Sequence, residues 1–188
     1  FREKKHRKGK HDDYISKTTD IKYKPLSYYK EKCPHIIRQV EELMEQLFPD
    51  EIIYSSDDED SRSVVSRNSS LRKYMWEHLA STLLGTNENQ TFNIYNGTGA
   101  NGKSKLVELM SEVLGEYKGT VPITLVTQKR SSIGGTSSEV YNLIGTRYAV
   151  MQEPSKGDKI NEGIMKELTG GDPIQCRALF LNSVTFIP

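Results

Sequence analysis

Gly97-Thr98-Gly99-Ala100-Asn101-Gly102-Lys103-Ser104 fits the phosphate-binding pattern G-x-x-x-x-G-K-[ST] at every fixed position. Its flanks suit the same reading. Thr91-Phe92-Asn93-Ile94-Tyr95 is β-prone with alternating apolar residues, which predicts a strand entering the loop. Lys103 to Leu114 carries helical periodicity, with Leu106, Leu109, Met110, Val113 and Leu114 on its apolar face and Gly115 as its stop. A strand, a glycine-rich loop and a helix N-terminus together hold phosphate, because backbone N–H groups and the helix dipole both favour an anion. Gly97, Gly99 and Gly102 permit positive φ and close backbone approach, while Thr98, Ala100 and Asn101 fill the variable positions. Lys103 is expected to reach the β- and γ-phosphates, and Ser104 to help hold Mg²⁺. The segment predicts a site for a nucleoside triphosphate with Mg²⁺.

Composition sets wide bounds around that site. A chain of 188 residues with 35% hydrophobic content can build one domain with an appendage. It starts at Phe1 and stops at Pro188 after a strand-like run, which reads as a piece of a longer protein. No apolar run approaches the roughly 18–20 residues that span a bilayer. Cys33 and Cys176 are far apart and His6, His11, His35 and His78 do not cluster, so a metal site made of protein ligands alone is not expected. Such sparse cysteine usage fits a reduced intracellular compartment.

The net charge of +1 is unevenly spread. Arg2, Lys4, Lys5, Arg7, Lys8 and Lys10 face only Glu3 in the first ten residues, so 1–33 reads as a basic, flexible arm. A nucleic-acid arm, a localisation signal and a solvated linker all have this composition. Ser55-Ser56-Asp57-Asp58-Glu59-Asp60-Ser61 predicts a disordered acidic loop over about 55–68. It interrupts a helical region, 34–90. One helix there follows Ile36, Val40, Leu43, Met44 and Leu47, with Pro34 in its first turn. A second starts near Ser69 or Ser70 and runs through Leu71, Met75, Leu79 and Leu83 to Gly85, with Tyr74 and Trp76 read as core.

Residues 91–188 are expected to form the nucleotide-binding core. Residues 127–135 read as a surface loop, and Thr136-Ser137-Ser138-Glu139 as a capping box for a short helix ending at Ile144. Arg147 to Met151 predicts a strand with Glu153 just past its C-terminal end, where ligands of open α/β sheets bind. A carboxylate about 50 residues after Lys103 suits the Mg²⁺ shell or the attacking water, so Glu153 is the candidate catalytic residue beside Lys103. A short helix over 160–168 leads to Thr169-Gly170-Gly171-Asp172 and a hairpin over 174–187. Lys166 and Arg177 are its candidate contacts to a phosphate backbone.

Asn96 to Ser104 with Leu114-Gly115-Glu116-Tyr117, then Gly145-Thr146-Arg147, Glu153 and Lys166 to Asp172 and Arg177, resembles the poxvirus-type primase–helicase family. These are superfamily 3 helicases of large DNA viruses, phages and plasmids. The likeness covers about residues 69–188 and implies an AAA+-like α/β P-loop ATPase, assembled as a homo-hexamer. It further implies ATP-driven translocation on single-stranded DNA and unwinding of forked duplex, at a viral replication site in host cytoplasm or nucleus. Lys103 and Ser104 match the family's first motif, Glu153 its second, and Lys166 through Arg177 its third, which leads to a hairpin facing a central channel. Gln152 stands where many ring ATPases carry a second acid, so metal binding and water activation both fall on Glu153. The family's sensor asparagine and arginine finger are expected after Pro188. A P-loop NTPase of another class, such as a DNA-packaging or partition ATPase, and a non-catalytic ATP-gated oligomerisation module remain the alternatives.

Overall fold

The computed structural model describes residues 7–50, 52–54, 64–128, 136–152 and 154–188. It is a mixed α/β structure of two compact units. One unit comprises 21–81 and 96–106; the other comprises 1–20, 82–95 and 107–188.

In the unit built from 21–81 and 96–106, α1 (Leu26–Lys32) and α2 (Pro34–Leu47) meet at Cys33. The residue before a proline is pushed out of the α region, and Pro34 then suits the first helical position, so α1 ends and α2 begins there. On α2 the expected stripe buries Met44, whereas Ile36 is 41% exposed. The C-terminus of α2 is tied to α3 (Arg67–Ser81) through Arg72. Its guanidinium donates to the Phe48 carbonyl and to the Asp50 carboxylate, both at 2.7 Å, placing a cation where the helix dipole is negative. On α3, Met75 and Leu79 are buried. Tyr74 and Trp76, expected in the core, are exposed instead, because they lie beside the narrow stripe that Met75 and Leu79 occupy. Between the helices, β1 (Ile52–Tyr54) pairs antiparallel with β2 (Val64–Ser66). The expected loop to residue 68 therefore includes a strand and the start of α3, and its acidic run lies outside the described residues.

The other unit carries a two-stranded parallel sheet, β3 (Lys118–Thr120) on β4 (Tyr148–Val150), in the register Lys118↔Tyr148 to Thr120↔Val150. Parallel strands need a crossover, here made through α5 (Thr124–Thr127) and α6 (Ser138–Tyr141). α7 (Glu162–Thr169) follows, capped by the Asn161 carboxamide oxygen, which accepts from the Ile164 amide at 3.3 Å. β5 (Ile174–Cys176) and β6 (Val184–Phe186) close the antiparallel hairpin that the pattern predicts. The core of this unit holds Met110, Leu114, Val121, Val126, Ile164, Ile174 and Cys176.

Three local expectations change. Residues 91–95 form no strand, and Phe92 (43%) and Ile94 (71%) are exposed, since alternation supplies the side chains of a strand but not its hydrogen-bonding neighbour. No Thr136 cap forms at α6: Ser137 stands at the N-cap without a side-chain cap bond, and its hydroxyl instead accepts from the Arg177 amide at 3.1 Å. On the helix after the glycine-rich loop Leu106, Met110 and Leu114 are buried, but Leu109 is half-buried and Val113 is 37% exposed.

The stretch 1–33, read as a flexible arm, contains α1 and a docked segment at 17–20; residues 1–6 lie outside the described residues. Tyr117 donates its hydroxyl to the Lys17 carbonyl, and the Thr18 amide donates to the Glu116 carboxylate at 2.7 Å. The Glu116 amide returns a bond to the Thr18 carbonyl at 3.1 Å. Gly115 makes this approach feasible. Its φ is +52°, and a Cβ there would lie 2.9 Å from the Thr19 backbone. Gly115→Ala should therefore cost about 2 kcal/mol or more, from left-handed strain plus overpacking. A drop of roughly 4 °C or more in Tm by circular dichroism is expected; an unchanged Tm would contradict the close packing.

Candidate nucleotide and nucleic-acid sites

The glycine-rich loop from Gly97 to Gly102 leads into α4 (Lys103–Leu114) and belongs, with the first turn of that helix, to the unit of 21–81 and 96–106. The first intrahelical bond runs from the Leu106 amide to the Gly102 carbonyl at 3.1 Å. The amides of the helix's first turn thus face the loop with no intrahelical acceptor, the arrangement that favours a bound anion. Positive φ is needed at two positions, Ala100 (+59°) and Gly102 (+78°), rather than at the three glycines of the pattern. Gly97 serves by lacking a side chain, whereas a Cβ on Gly99 would meet no atom within 4 Å. An alanine in the left-handed region is strained, a feature found where function holds the backbone.

The Lys103 ammonium donates to the Asn101 side-chain oxygen at 2.7 Å and to the Gly97 carbonyl at 3.0 Å. Ser104 is exposed on the first turn, so its hydroxyl is accessible to a hydrated cation. Among the described residues there is no cluster of three metal-binding side chains. A Ser hydroxyl alone suits Mg²⁺ of the kind that keeps its waters and is carried in by phosphates. Glu153 lies outside the described residues; its neighbour Gln152 is exposed after β4.

Lys166 and Arg177 belong to the other unit, both exposed, on α7 and just after β5. Two braces hold the motif between them. Gln90 donates its carboxamide to the Gly170 carbonyl at 2.8 Å, and Asn87 donates to the Thr169 carbonyl at 3.3 Å. The Ser137 amide donates to the Arg177 carbonyl at 2.9 Å, returning the bond that the Ser137 hydroxyl accepts. Beyond Arg177 the hairpin tip turns through Phe180 with φ +62°. Leu179 (61%), Phe180 (95%) and Leu181 (50%) stand exposed there. Neither the braces nor this apolar tip is evident in the sequence; the polar run Asn87 to Gln90 is the only written signal of the first.

Two titrating groups in this unit are displaced by burial. The Tyr148 phenol is pushed up by desolvation, offset in part by a hydrogen bond with Tyr95, and the Cys176 thiol is pushed up by its buried strand position. Both stay neutral at physiological pH, and a Cys176 thiolate nucleophile is disfavoured.

No protein-family model matches the chain. Relatives among viral proteins do. A protein of Acanthamoeba polyphaga mimivirus named "Putative helicase" is 35% identical over 182 residues, 97% of this chain and 17% of that protein. One of Frog virus 3 with the same description is 32% identical over 110 residues, 58% of this chain and 11% of its own. A "Putative primase" of African swine fever virus is 31% identical over 84 residues, 44% of this chain and 9% of that protein. The chain thus spans no more than about a sixth of the relatives it matches.

The Gln90 brace has a direct test. Gln90→Ala should remove about 1 kcal/mol of local stability at Gly170. Hydrogen exchange at the amides of 168–172 should rise roughly fivefold, with the global Tm nearly unchanged. Unchanged exchange would mean the turn is held elsewhere.

Proposed function

We infer, from this chain's membership of the primase–helicase family of large DNA viruses, that it carries the nucleotide-binding part of an ATP-dependent DNA helicase. The observation that carries this reading is the loop from Gly97 to Ser104, which bends through two positive-φ residues into the N-terminus of a 12-residue helix and sets Lys103 over the turn. In the proposed reaction Gly97 to Gly102 surround the phosphates with backbone amides. Lys103 neutralises the β- and γ-phosphates, and Ser104 donates an oxygen to Mg²⁺. Glu153 orients water for attack on the γ-phosphorus. The core is of the AAA+-like P-loop kind, and the complete viral protein works as a hexamer on single-stranded and forked DNA.

The exposed Lys166, Arg177 and the tip at Phe180 supply the DNA-facing part of the same reading. Cationic side chains engage phosphates without reading sequence, and an exposed aromatic offers a face to an unpaired base. A DNA-packaging or partition ATPase would share the phosphate loop. The relatives' names favour a helicase over either.

Removing the Lys103 ammonium tests the nucleotide site. Lys103→Ala should weaken binding of a fluorescent ATP analogue by about tenfold or more, since charged hydrogen bonds are each worth roughly 1.5–3 kcal/mol. Equal binding by the two proteins would refute the assignment.

The DNA face has its own measurement. With Lys166 and Arg177 both changed to Ala, the slope of log K against log salt for oligothymidine should flatten by about 0.7 for each lost contact. Affinity should fall alike for all sequences, while ATP binding persists. An unaltered slope with a lowered melting temperature would assign the pair to structure alone.

A further inference from the structure

The phosphate loop holds a contact that its pattern does not require. Asn101 occupies a variable position, yet its side-chain oxygen accepts from the Lys103 ammonium at 2.7 Å. The other end of the same carboxamide is folded over Gly97, where an added Cβ would lie 1.9 Å from Asn101 Nδ2. Only a residue without a side chain at 97 leaves that space. The Gly97 carbonyl takes a second ammonium proton at 3.0 Å. An ammonium has three protons to donate, so two of the three are committed within the loop. A carboxamide oxygen at this distance occupies one of the donor positions on Lys103 that a phosphate oxygen could take, charge-assisted bonds of this kind being about 2.7–2.9 Å long.

We propose that Asn101 is a built-in competitor for the Lys103 ammonium, closed over Gly97 in the free protein and displaced when a triphosphate arrives. The proposal rests on the nucleotide-binding reading above and adds its regulation. A ligand that takes more than the one uncommitted proton of Lys103 has to open the Asn101 contact, so the apparent affinity is lowered according to the fraction of molecules with the contact open. Asn101 is exposed and its bond competes with water, which limits the effect to about two- to tenfold. Gly97 acquires a second duty, giving room to the competitor as well as to the phosphates.

The test compares the 188-residue chain with Asn101→Ala and Asn101→Asp by two readouts. The first is the rate at which Lys103 is acylated by an amine-reactive ester without nucleotide, followed by peptide mass spectrometry. The second is the Kd of a fluorescent ATP analogue with Mg²⁺. Asn101→Ala should acylate roughly two- to tenfold faster and bind the analogue tighter by a similar factor. Asn101→Asp, whose carboxylate holds the ammonium and repels phosphate, should acylate more slowly and bind more weakly. Unchanged or slower acylation of Asn101→Ala would overturn the proposal. So would weaker analogue binding by that variant, which would make Asn101 a ligand of the nucleotide. If the wild-type chain binds no analogue, the nucleotide-binding reading fails by itself, and the acylation rates still decide whether Asn101 restrains Lys103.

Discussion

A helix cannot satisfy its own first amides, and the arrangement of this loop follows from that constraint. From Leu106 onward the bonds of α4 run to carbonyls four residues back. Ahead of it, the chain bends through positive φ at Ala100 and Gly102, which costs backbone strain at the alanine and favours glycine at 102. A Cβ at Gly102 would also lie 2.0 Å from the Leu47 side chain at the end of α2. The loop is therefore shaped from two sides: the helix imposes its conformation, and α2 limits its bulk. Arg72 extends that dependence by fastening the end of α2 to α3.

The helices were the most readable part of the chain. α2, α4 and α7 lie within about two residues of their predicted spans, because apolar periodicity and terminal residues such as Pro34 and Gly115 are written locally. The β5–β6 hairpin was equally legible. What failed was information that is not local. Thr91 to Tyr95 has the side chains of a strand, yet a ladder needs a second backbone in register, and no property of the five residues specifies it. The serine at 137 looked like a neighbour of a cap, and its hydroxyl went to an amide 40 residues away.

The candidate site divides along the same line. A contiguous motif carries its own local geometry, so a glycine-rich turn leading into a helix at Lys103 was legible as a whole. Even so, one of the two residues with positive φ is Ala100, which the glycine pattern does not mark. The braces from Asn87 and Gln90 to residues 169 and 170 join segments about 80 residues apart, and amides in a polar run give no hint of their acceptors. Phe180 falls inside the hairpin predicted over 174–187; its exposure follows from the early turn after Cys176.

The docking of residues 17–20 against 115–117 has a consequence for how the chain folds. The Thr18–Glu116 bonds join residues 98 apart, and every residue of the 21–81 and 96–106 unit lies between them in sequence. Closing so long a loop has a high entropic cost, which is repaid only after the intervening segments have contracted. The docked strand of backbone is then a late event in folding and an early one in unfolding. During synthesis, residues 17–20 leave the ribosome about a hundred residues before the partner they dock against. The segment 17–20 thus acts as a fastening applied late within its own unit, and protease sensitivity near Lys17 reports how far assembly of that unit has gone.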